Sequence, residues 1–169
     1  MMNFLGKILN HMSNYTEKVV VGLSLIGIIA LTINLIVAVV FRYIFKAPIY
    51  FANELSLFLF GMITFLGGSL GVKRSTLASV TFIVDKLKGV SKNIVVLFIQ
   101  FNILAFGILI FYFSYFWITD KNILNQMAST MAIPLWVPYS IIPVSMIFII
   151  IFSLDNIYKG LAGREKTHV

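Results

Sequence analysis

Four long apolar runs set the pattern of this chain, at approximately 19–41, 51–72, 93–119 and 137–154. A helix rises about 1.5 Å per residue, so each run is long enough, or nearly so, to cross the ~30 Å hydrocarbon core of a bilayer. The pattern predicts an all-α membrane protein with four transmembrane helices in a single membrane domain, 1–169. The first run, Val19–Phe41, is too long for the apolar core of a secretory signal and carries no small-residue cleavage site. It is expected to stay as an uncleaved first span.

The segments between the runs follow a different rhythm. Phe4, Leu5, Ile8, Leu9 and Met12 recur at helical spacing, predicting an amphipathic helix over 3–12 that lies on the membrane surface. Asn14 and Glu17 then stand at N-cap and N3 spacing for the first span. Leu77, Val80, Val84 and Leu87, with Lys86 and Lys88 on the polar side, predict a second surface helix over 75–88. Residues 122–133 read as a loop. Pro134 and Pro138 suit a helix entry, while Pro143 is expected to kink the fourth span. Asp155 and Lys159, four apart, read as a modest surface pair. Trp117, Trp136 and Tyr139 sit at span ends and are candidate interfacial anchors.

Composition strengthens the membrane reading. Hydrophobic residues make up 60% of the chain and charged residues 11%, more apolar surface than a soluble domain of this size can bury. The net charge of +7 comes from basic residues at the ends of apolar runs, which argues for membrane orientation and against nucleic-acid binding. Ten of the thirteen Lys and Arg fall on the side of the two termini and the second connection, and three fall on the other. The positive-inside rule therefore places both termini in the cytoplasm, in a bacterial inner (cytoplasmic) membrane, with the Arg42–Glu54 turn facing outward.

The chemistry available is narrow. There is no cysteine, the two histidines lie near opposite termini, and no carboxylate stands at the centre of a span. No catalytic constellation, cofactor motif or metal-ligand spacing is present, so no enzyme, cofactor or metal site is expected. Asn34 could line a transport path or make an interhelical hydrogen bond, and the second is the plainer reading. Gln100 and Asn102 are read as polar packing in the same way. Gly67 and Gly71, with Gly68 between them, form a small-residue motif that lets another helix backbone approach closely. By these residues alone the chain is a four-helix membrane subunit serving a partner.

Several motifs point further. Arg42-Tyr43-Ile44-Phe45, Pro48, Glu54-Leu55, Phe65-Leu66-Gly67-Gly68 and the late Pro134-x-Trp136-x-x-Tyr139-x-x-x-Pro143 occur in an order and spacing that resembles the small membrane subunit (DctQ-like) of tripartite ATP-independent periplasmic (TRAP) transporters. The likeness runs from roughly Val19 to Tyr158. One stretch departs from it. Relatives often carry a His and an acidic residue after the second span, followed by a Leu, and here Leu77 and Thr81 stand near those places with Leu87 retained.

The resemblance implies a large TRAP membrane subunit as partner, holding substrate and sodium ions. It also implies transient contact with a periplasmic substrate-binding protein, import of an organic acid of the dicarboxylate or sialic acid class, and a scaffold or stator role for this chain in the lipid bilayer. On that reading Arg42 and Glu54 are candidate contacts for the subunit or the binding protein. The plainer alternative is that Arg42 anchors a helix end at the headgroups and Glu54 complements a helix dipole. The competing identity is an unrelated four-helix assembly or sensor subunit.

Overall fold

The computed structural model describes the backbone of residues 4–74 and 90–165, and side chains within 6–74 and 94–161. Six helices account for almost all of it: α1 (Phe4–Tyr43), α2 (Tyr50–Lys73), α3 (Val90–Ile118), α4 (Lys121–Asn125), α5 (Trp136–Tyr139) and α6 (Ile141–Glu165). Four stretches are long and apolar enough to cross a membrane, the fourth combining α5 with α6. The expected surface helix over 75–88, including Leu77, Thr81 and Leu87, lies outside the described residues.

The N-terminal segment departs from expectation. The surface helix expected over 3–12 is not separate: its described residues run unbroken from Phe4 into the first span as one helix of 40 residues. No proline or glycine lies between Met12 and Val19 to interrupt it. Asn14 and Glu17 cap nothing there, because both side chains turn toward the C-terminal end of α2.

A tight closure separates α1 from α2. Lys46 adopts a φ of 54°, and the Ala47 amide donates to the Phe41 carbonyl, a left-handed helix ending. The extended Ile49, after Pro48, then starts α2. The region read as a loop over 122–133 begins with helix α4, because the Asp120 carboxylate accepts from the Asn122 amide and caps it. In the fourth span the helix breaks at Ser140, so Pro143 falls in the first turn of α6, where its missing amide costs no internal hydrogen bond.

Helices α1, α2 and α6 pack on one another, and α3 packs chiefly on α6. The buried centre holds Val20, Leu66, Val72 and Phe152, with Met62, Ile103, Phe148 and Ile149 against it. Lipid is as apolar as leucine, so burial of apolar area does little to hold such helices together; close packing and hydrogen bonds do it. Small residues mark the seams accordingly. Ser24, Ser69, Ser114, Ser145 and Ser153 are all buried. A Cβ on Gly27 would come within 3.1 Å of Ile63, and one on Gly107 within 3.3 Å of Ile149.

Candidate functional site

The two ends of the bundle carry different polar constructions. At the end holding the N-terminus of α1 and the C-terminus of α2, Lys73 reaches across three helices. Its Nζ donates to Ser13 Oγ at 2.6 Å, Asn14 Oδ1 at 3.0 Å and Asp155 Oδ2 at 2.8 Å. It also lies 5.8 Å from the centre of the Phe152 ring. The Asp155 side chain is only 1% exposed and takes a second ammonium, Lys159 Nζ, at 2.8 Å. The Asp155–Lys159 pair is therefore half of a buried ionic node rather than a surface pair. The helical spacing of those two residues was visible in sequence; Lys73, 82 positions away, was not.

Two further bonds support the node. Arg74 Nε donates to Glu17 Oε1 at 3.0 Å, and Asn156 Nδ2 donates to the Val72 carbonyl at 2.8 Å. One turn deeper, Ser153 Oγ donates to the Gln100 carbonyl at 2.8 Å, tying α6 to α3. Asn102 turns back onto its own helix, donating to the Phe98 carbonyl.

At the opposite end, Asn34 Nδ2 donates to the Ala52 carbonyl and to Ser56 Oγ, both at 2.8 Å, joining α1 to α2. Glu54 is used within the chain as well. Its carboxylate accepts from the Ser129 amide at 2.9 Å, the Thr130 amide at 2.8 Å and the Thr130 hydroxyl. This latches the segment between α4 and α5, which is folded back by a bridge between Met127 and Pro134. Bonds to an ionised acceptor are shorter and stronger than neutral ones, though here they are exposed to water. Arg42, at the same end of the bundle, is exposed and makes no ion pair among the described residues.

The aromatic anchors converge. Trp117 and Tyr139 meet at a tilt with ring centres 5.0 Å apart, and Phe58 meets Tyr139 edge-on at 6.3 Å, so α2, α3 and α5 share one aromatic cluster. Trp136 is 41% exposed on its margin. Gly67 and Gly68 have nothing within 4 Å of their Cβ positions and form, with Leu57, Phe60 and Thr64, an open face of α2. Gly71 is half-buried. The close helix contacts inside the chain fall at Gly6 against Tyr158, Gly160 against Leu97, Gly27 and Gly107 instead, which sequence reasoning passed over because none of them lies in a G-x-x-x-G motif.

What this arrangement offers chemically is support. Among the described residues no cluster of His, Cys, Asp or Glu can hold a metal, and Asn34, Glu54, Lys73 and Asp155 all bond within the chain. Such a chain is a multi-pass membrane subunit whose ionic contacts tie its own helices. The family described as tripartite ATP-independent periplasmic transporters, DctQ component, matches residues 16–163, and the chain belongs to it. It is thus the small-subunit component of a TRAP transporter, which removes the unrelated assembly or sensor subunit as an identity. No curated protein matches the chain.

Proposed function

We propose that this chain is the stationary scaffold of an ion-gradient-driven importer of an organic acid, packed beside a large membrane subunit that carries substrate and coupling ions. The observation that carries the reading is the contrast between a polar interior whose charged groups are paired within the chain and broad open apolar faces. The outer surfaces of α1 from Val19 onward and of α3 from Ile94 onward are mostly exposed aliphatic and aromatic side chains, and the Gly67–Gly68 face of α2 is open. Small residues on an exposed face invite close approach by another helix, so the α2 face is assigned to the large subunit. The lipid bilayer covers the remainder.

Positive-inside orientation puts both termini in the cytoplasm of a bacterial inner membrane, and puts Arg42 and the segment latched by Glu54 on the periplasmic side. Exposed Arg42 is then the contact for a substrate-binding protein, while Glu54 acts by positioning the 126–135 segment. Co-expression with the large subunit and purification through a tag on this chain tests the scaffold reading. A stable two-subunit complex in mild detergent is expected; recovery of this chain alone overturns it.

A further inference from the structure

A cleft of about 680 Å³ opens at the N-terminal end of the bundle, lined by His11, Asn14, Tyr15, Glu17, Lys18, Val21 and Arg74. Its depth in the membrane follows from the apolar pattern. The uncharged part of α1 begins at Val19, and the apolar run of α2 ends at Lys73, so both walls of the cleft change from polar to apolar at the same level. That level is the boundary between headgroups and acyl chains. Val21 lies one helical turn inside the boundary, and Lys18 sits at it.

The charges are arranged unequally. Glu17 is committed to Arg74 at 3.0 Å, which holds the guanidinium against α1 as one wall. Lys18 is exposed and makes no ion pair among the described residues, and Asn14, Tyr15 and His11 add polar groups along the rim. One ammonium beside a positioned guanidinium, with an apolar floor below, matches a phosphodiester carrying acyl chains. We propose that this cleft binds the headgroup phosphate of an anionic phospholipid, with Lys18 and Arg74 on the phosphate and Val21 against the start of an acyl chain. Basic clefts at helix ends are suited to such headgroups, and each basic residue near the surface strengthens anionic-lipid binding by about fivefold. This assignment is independent of the scaffold reading, since it concerns only residues of this chain.

The test is native mass spectrometry of the full chain in neutral detergent, titrated with phosphatidylglycerol or with phosphatidylcholine of the same acyl chains. Preferential retention of phosphatidylglycerol is expected, falling about fivefold in Lys18→Gln and kept in Lys18→Arg. Melting of lipid-free Lys18→Gln should equal that of the wild type, because Lys18 bonds to no other side chain among the described residues. Equal retention of the two lipids, or retention unchanged in Lys18→Gln, overturns the proposal. Inorganic phosphate in millimolar excess should leave the lipid bound; displacement by it makes the cleft a site for free anions and overturns the lipid assignment.

Discussion

Lys73→Met is the sharpest test of how this bundle holds together. Methionine keeps most of the length and the apolar stem of lysine but removes the ammonium that meets Ser13, Asn14 and Asp155. Asp155, 1% exposed, then keeps one cation, Lys159, whose side chain is 50% exposed. An exposed i, i+4 pair contributes only about 0.5 kcal/mol, so Lys159 offsets little of the loss. Removing one partner of a buried ion pair costs about 3–5 kcal/mol. The lower end applies here, because one bond to Asp155 survives and a membrane-embedded unfolded chain finds alternative polar partners. A loss of about 3 kcal/mol lowers the folded-to-unfolded ratio by about a hundredfold. Unfolding in a graded denaturing detergent, followed by circular dichroism, measures it directly. The double variant Lys73→Met/Asp155→Leu should recover to within about 1 kcal/mol of wild type, since replacing a buried pair with apolar groups is often neutral. If Lys73→Met unfolds like wild type, or the double variant is worse than the single, the node is not what joins α1, α2 and α6.

Other substitutions separate internal support from contact with partners. Glu54→Gln should leave insertion and helix content unchanged while hydrogen exchange at the Ser129 and Thr130 amides rises by about tenfold or more, the equivalent of one charge-assisted bond; unchanged exchange would remove the latch. Gly27→Leu should destabilise the isolated chain by about 1–3 kcal/mol, because its side chain meets Ile63, whereas Gly67→Leu should leave the isolated chain intact and lower the yield of complex with the large subunit. Equal thermal stability of the two isolated variants contradicts that division. Asn34→Leu should cost about 1 kcal/mol, and adding Ser56→Ala should cost little more, measurable as a double-mutant cycle in the same unfolding assay.

The four long apolar helices were legible because each rests on local information: an apolar run, a proline, a charged connection. The ends of α2 and α3 lie within three residues of the apolar boundaries, Tyr50–Lys73 against 51–72 and Val90–Ile118 against 93–119, whereas α1 begins at Phe4 rather than near Val19 and α6 continues to Glu165 past Leu154. The family was legible for the same reason, its motifs being short and ordered along the chain. What local pattern cannot carry is which polar residues meet. Asn14 and Glu17 have good capping spacing, yet their partners Lys73 and Arg74 are 57 or more positions away and reward an unbroken helix instead. Glu54 looks like a dipole-complementing residue in sequence, and only the return of the chain at 129–130 shows where its carboxylate goes.

The two ends of the bundle also differ in a way that bears on their work. At the N-terminal end the ionic node joins three spans at once and is shielded, so its bonds are strong and insensitive to salt. At the other end Glu54 ties an exposed segment to the first turn of α2, and water can compete for every one of its bonds. Local opening should therefore begin at the latched segment and leave the node closed, because opening free energy follows burial and bonding. A bundle with this asymmetry stays rigid where α1, α2 and α6 are joined and keeps an adjustable surface around Arg42 and residues 126–135. On the proposed reading, a soluble partner that must bind and leave calls for that second kind of surface, and a permanent subunit contact calls for the rigid face of α2.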